Sequence, residues 1–267
     1  MLKDITLGQF FPGNTVIHRL DPRTKLLAVV FYIAALFTAK WFVSYGLVLA
    51  FLLLCIHLSQ VPFKSLVKGL RPVLFILAFT AILNLFYTPG RTLWHWWIFT
   101  VTIEGIFTAF FMLLRITMLI MGTFLLTYTT SPIALTDGLE SLLGPLKKLH
   151  APVHELSMMM SIALRFIPTL IEETDKIMSA QKARGADFES GSLIQKAKAL
   201  IPILVPLFIS AFRRADELAT AMECRCYHGG DGRTKLHVLR YQGRDYGASA
   251  ALAALLAAVI VLRQFGL

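Results

Sequence analysis

Two arginines carry the residue pattern with the clearest chemical consequence. Arg184 sits in Gln181-Lys-Ala-Arg-Gly-Ala-Asp-Phe188 and Arg225 in Ala221-Met-Glu-Cys-Arg-Cys-Tyr227, 41 positions apart. A guanidinium is planar, permanently charged and rich in N–H donors. With only small neighbours (Ala183 and Gly185 in one case, Cys224 and Cys226 in the other), it can enter an acidic groove on a partner and bind there bidentately. The plainer reading is a helix end: an arginine in the last turn complements the negative end of the helix dipole, and Gly185 suits the position just beyond it. Repetition at two equivalent helix ends favours docking.

Other chemistries find little support in the residue types. Cys224 and Cys226 lack a second thiol pair or a suitable histidine, and His150 and His154 flank Pro152 outside any HExxH pattern, so no metal site is expected. No GxxxxGK[ST] loop is present to cradle phosphates, and no nucleophile stands beside a recognisable base. The chain is therefore expected to be non-catalytic and to bind no cofactor of its own. At the Asp21-Pro22 step the expectation is local: Asp21 caps a helix, Pro22 takes its first turn, and Arg23 and Lys25 anchor a membrane interface. The alternative is that Arg23 contacts a partner. Arg115 lies inside an apolar stretch, where a charge costs at least about 2.5 kcal/mol, so a structural pairing within a helix bundle is expected.

These residues must be positioned by elements suited to lipid. Of 267 residues 56% are hydrophobic and only 16% charged, too apolar for an ordinary soluble domain, and no nucleic-acid partner is indicated. Five stretches approach the roughly 20 apolar residues a spanning helix needs, at about 26 to 39, 41 to 58, 72 to 87, 103 to 130 and 246 to 264. Arg71-Pro72 is read as opening the third. The polar first 25 residues do not resemble a cleavable signal, so the first span is expected to direct insertion. Of the 26 Lys and Arg residues, 22 lie before residue 26, between 59 and 71, or from 131 to 245. That asymmetry places the N-terminus in the cytoplasm and the C-terminus outside. The expected organisation is 1–130 with four transmembrane helices, a cytoplasmic coupling-helix domain at 131–245, and a C-terminal transmembrane helix at 246–267.

Two helical patterns fill the segment 131–245. Val153 to Met178 is amphipathic, with a Met158-Met159-Met160 run. Leu193 to Met222 contains a 12-residue apolar run between Lys198 and Arg213, too short to span a bilayer. Pro168 in the first, and Pro202 and Pro206 in the second, each remove a backbone donor and are expected to kink or break these helices. The fold class read from this is all-α: a polytopic membrane protein of about five transmembrane helices plus kinked amphipathic cytoplasmic helices.

Phe11-Pro-Gly-Asn-Thr, His18-Arg-Leu-Asp-Pro-Arg-Thr-Lys-Leu26, Ala183-Arg-Gly185 and Gly229-Gly-Asp-Gly-Arg-Thr234 together resemble the transmembrane (T) component of energy-coupling factor transporters, over nearly the whole chain. The resemblance implies a subunit in the plasma membrane of a bacterium or archaeon. It would join two cytoplasmic ABC-type ATPases, which hold ATP and Mg, to a small substrate-binding membrane subunit for uptake of a vitamin or other micronutrient. It also implies that Arg184 and Arg225 engage the ATPases, with Cys224 and Cys226 departing from the usual Ala and Gly. The apolar face bearing Met158, Met159, Leu164, Leu204 and Phe208 is then expected to meet the substrate subunit, and adaptable methionines suit several exchanging partners. A self-sufficient secondary transporter is the alternative, but apart from Arg115 and Asn84 the spans offer few polar groups.

Overall fold

The computed structural model describes residues 10–96, 99–149, 152–188, 192–229 and 238–265. The helices are α1 (Pro22–Thr38), α2 (Phe42–Ser59), α3 (Phe63–Tyr87), α4 (Ile103–Thr129), α5 (Pro132–Leu143), α6 (Val153–Ala183), α7 (Leu193–Glu223) and α8 (Gly243–Phe265). Contacts divide the chain into two units. One is a bundle of residues 8–141 together with those from 239, and the other is built on 142–238. Most of α5 thus belongs with the bundle.

In the bundle, apolar residues recurring every three or four positions turn one face of each helix inward. Val48, Leu52 and Ile56 of α2 pack with Tyr32 and Leu36 of α1, Leu66 and Leu70 of α3, Met118 and Met121 of α4, and Leu255 and Val259 of α8. The outer faces stay apolar: Phe75 of α3 is 80% exposed, as suits a surface whose solvent is lipid. By length and composition α2, α3, α4 and α8 can each cross a membrane. α3 starts at Phe63, nine residues before the hydropathy boundary. Pro72 therefore lies inside it and does not open it.

α1 is the shortest of the expected spans. Its 17 residues rise about 26 Å, at the lower limit of the length that crosses a bilayer. Lys25 at its start donates to the Thr129 carbonyl at the end of α4, and the Ala39 carbonyl at its end accepts from Arg115 in mid-α4. Both intervals are 14 residues, so the two helices run alongside and the α1–α2 turn lies about 21 Å from the Lys25 level. Arg115 therefore serves a helix end inside the bundle. Its Nε donates to the Tyr45 hydroxyl at 2.8 Å and a terminal nitrogen donates to the Ala39 carbonyl at 3.3 Å. The expected pairing is made with a free carbonyl and a hydroxyl, which solvate the cation where the α1 dipole is negative.

One element departs from the all-helical expectation. Thr92–Trp96 (β1) pairs antiparallel with Phe99–Thr102 (β2), forming a hairpin between α3 and α4. Its base is held by the Arg91 amide donating to Glu104 Oε2 at 2.7 Å.

The second unit is built on α6 and α7, each 31 residues and about 46 Å long. They pack antiparallel: Arg214 of α7 meets Glu173 of α6 at 2.9 Å, and Gln181, later in α6, reaches Pro202, earlier in α7. Neither helix breaks at its prolines. Pro206 cannot donate to the carbonyl four residues before it, that of Pro202, and this freed acceptor takes the Gln181 side-chain N–H at 3.4 Å. One proline defect is thereby turned into an interhelical contact.

Candidate partner-docking site

The two arginine motifs share one backbone device. At the end of α6 the Gly185 amide donates to the Lys182 carbonyl and the Ala186 amide to Gln181, both at 3.0 Å. At the end of α7 the Cys226 amide donates to Glu223 at 2.8 Å and the Tyr227 amide to Met222 at 3.1 Å. Each is the paired hydrogen-bond pattern of a Schellman cap, with the arginine just past the helix and a left-handed residue after it. Gly185 takes φ 88° and Cys226 takes φ 55°. Glycine adopts that conformation freely, while a residue with a Cβ pays roughly 1–2 kcal/mol. The Cys-Arg-Cys departure thus preserves the turn at a conformational cost.

Both guanidinium-bearing residues are exposed, as are Ala183, Gly185, Cys224 and Cys226. They occupy opposite ends of the antiparallel pair. Arg225 lines a groove with Met158, Ile162 and Arg165 of α6, so it lies level with residues about 22 positions, or roughly 33 Å, before Arg184. Arg165, Arg225 and His228 line this groove with no carboxylate among them. Where α6 and α7 meet, hydrogen bonds from Ser210 and Arg214 hold the Glu173 carboxyl below its ordinary value.

The motif around residue 21 is built into the bundle. Asp21 caps α1 by accepting from the Arg23 amide at 2.9 Å, and Pro22 begins the helix. Arg23 is held by its neighbours in the bundle. It returns two further hydrogen bonds to Asp21, donates to Ser141 of α5 at 3.3 Å, and stacks 4.0 Å over the Tyr241 ring. Lys25, 6% exposed, is spent on the His18 and Thr129 carbonyls. The Asp21 amide donates to Asp245 at 2.8 Å, bringing in the first turn of α8. His18 bridges Thr15 and the Phe11 carbonyl at 2.7 and 3.0 Å, and the Phe11 amide donates to Tyr128. Burial pushes the Asp21 carboxyl up, but the hydrogen bonds and charge of Arg23 outweigh it and hold it below the usual range. The signature between Phe11 and Lys25 is thus a knot that ties the N-terminal turn to α4, α5 and α8.

Residues 13–236 match the CbiQ family model, described as cobalt transport protein. The chain is 53% identical over 263 residues to the energy-coupling factor transporter transmembrane protein EcfT of Acidaminococcus fermentans, covering 98% of both chains. It is 56% identical over 265 residues to the protein of that name from Clostridium kluyveri, again covering 98% of each. The Bacillus subtilis protein of that name is 48% identical over 264 residues, or 98% of this chain and all of that one. The chain belongs to this family of transporter transmembrane components.

Within this EcfT-like chain the remaining motif, Gly229 to Thr234, is described only at Gly229; residues 230–234 and His150 lie outside the described residues. The apolar face expected on α6 and α7 is present. Met159, Leu204 and Phe208 are exposed, Phe208 by 62%, whereas Met158 and Leu164 are half-buried and Met158 lines the groove beside Arg225. Ser141, Tyr241 and Asp245, which complete the knot, had no signal in the sequence. Each lies more than 100 positions from its partner at residues 21–23, and none belongs to a local pattern.

Proposed function

We propose that the chain is the non-catalytic coupling scaffold of an energy-coupling factor importer. It joins two cytoplasmic ATPases, which bind ATP and Mg, to a small membrane subunit that binds a vitamin or other micronutrient. The chain sits in the plasma membrane with its N-terminus cytoplasmic. The observation that carries this reading is the pair of equivalent Schellman-capped arginines at opposite ends of one antiparallel helix pair. Two identical local structures roughly 33 Å apart suit two similar partners, each offering an acidic pocket to one guanidinium. The names of the relatives support the transporter, and the exposed apolar face of α7 supports a membrane-embedded partner.

Arg184→Glu places a carboxylate where the partner's acidic pocket is expected, so ATPase recovery with the tagged chain should fall at least tenfold and uptake should stop. Arg225→Glu acts in the same direction, to a lesser degree. Co-purification from membranes, with the chain's own membrane content as the control, decides it: ATPases recovered with Arg184→Glu at the unaltered level rule out the docking role.

A further inference from the structure

The bundle contains a cavity of about 400 Å³ with almost wholly apolar walls, formed by one end of α1, α2, α4 and α8. Its α8 wall is low, because Gly247, Ala248 and Ala251 present almost no side chain. The opposite walls carry Val29, Tyr32, Leu52 and Leu125. It extends from Thr24 to Tyr32 along α1, about 12 Å. Three of these helices, α2, α4 and α8, are long and apolar enough to cross a membrane.

Its mouth is polar in one specific way. Thr24 lines the cavity and is 4% exposed, and its hydroxyl, itself buried, has no hydrogen-bond partner. A buried hydroxyl left unpaired costs about 1–3 kcal/mol, so an occupant with an oxygen acceptor gains by reaching it. Lys25 and Arg244 line the same end. Lys25 has a third N–H donor beyond the two given to His18 and Thr129. Arg244 is exposed in the first turn of α8 and makes no ion pair among the described residues. Two carboxylates are near, but both are engaged. Asp21 is held by Arg23, and Asp245 accepts from the Asp21 and Gln242 amides. Counting Arg23, Lys25 and Arg244 against Asp21 and Asp245 leaves this end positive.

We propose that this cavity is a binding site for one anionic phospholipid. An acyl chain lies along Gly247, Ala248 and Ala251 between α1, α2 and α4. The glycerol-ester oxygens meet the Thr24 hydroxyl, and the phosphate rests on Arg244 beside Lys25. The occupant is a lipid because the cavity is an apolar channel among helices that can cross a membrane, and a free phosphate would not fill it. It is anionic because the mouth carries unneutralised cations.

The test uses the intact chain in detergent micelles, titrated with phosphatidylglycerol, with phosphatidylcholine of the same acyl chains, or with glycerol 3-phosphate, and native mass spectrometry counts bound molecules. One phosphatidylglycerol should bind at least about fivefold more tightly than phosphatidylcholine, the scale of one basic residue near an anionic lipid. Arg244→Gln should erase that preference. Ala251→Phe should fill the channel and weaken both lipids, and Thr24→Val, an isosteric change, should weaken phosphatidylglycerol should Ala251→Phe fail to fold. Arg263→Gln, at the far end of α8, should change nothing. Equal binding of the two lipids to the unaltered chain, undiminished phosphatidylglycerol binding to Arg244→Gln, or glycerol 3-phosphate binding as tightly as the lipid would each overturn the proposal.

Discussion

Gly185 and Cys226 occupy the same left-handed position after their arginines, yet only one of them adopts it without strain. Gly185→Ala is expected to cost about 1 kcal/mol at the α6 end and to fray the turn that presents Arg184, although the space around it is open. ATPase recovery should therefore fall while Arg184 itself is intact. Cys226→Gly should do the reverse at the other tip. Hydrogen exchange at the Tyr227 amide, which closes the cap on Met222, should slow, with ATPase recovery held or raised. Faster exchange at Tyr227 in that variant would show that the cysteine side chain, and not the turn, sets the conformation. The arginines and their small neighbours were legible from spacing alone. The left-handed turn shared by both helix ends was not, because Cys-Arg-Cys gives no hint of a left-handed residue.

At the scale of elements, Asp21 connects the start of α1 to α5 and α8 through Arg23 and the Asp245 contact. Asp21→Ala removes an N-cap, worth about 0.5–2 kcal/mol, and also leaves Arg23 without its carboxylate, so the loss should exceed that of a cap alone. The pH dependence follows from the lowered carboxyl of Asp21. Its contribution is fully present above the unfolded carboxylate value near 3.9 and is lost as pH falls through the lower folded value. Thermal unfolding in detergent from pH 6 to 3 should show a decline that Asp21→Asn lacks in part; identical profiles would remove the group from the balance. Hydropathy located α2, α4 and α8 to within a few residues, because each is an unbroken apolar run. It missed the first two turns of α3, where Lys64, Lys68 and Arg71 interrupt the run, and it gave no sign of α5. The hairpin at 92–102 was missed since its two short strands carry no long alternation. The acceptors of residues 23 and 25 were not legible, because a sequence shows charge without showing what it meets; they are supplied by α4, α5 and residues 18 and 21.

For the proposed coupling role, the decisive geometry at the scale of the molecule is the contact between Glu173 and Arg214. Each lies 11 residues, about 16 Å, before the arginine at the end of its own helix, so the bridge stands equidistant from the two tips. The pair is partly exposed and contributes at most about 1 kcal/mol to stability. It marks where two 46 Å helices meet, and in the proposed coupling role that point would divide a displacement at one tip along the pair. Glu173→Arg places like charges at this point. It is expected to leave ATPase recovery within about twofold, because both caps are untouched, while lowering uptake per ATP hydrolysed by the reconstituted complex. The reversed pair, Glu173→Arg with Arg214→Glu, restores opposite charges at the same position and should recover most of that uptake. Loss of uptake that the double exchange fails to restore, with both variants equally well inserted, would assign Glu173 a role other than this bridge. Full uptake in the single variant would show that this bridge does not govern transmission.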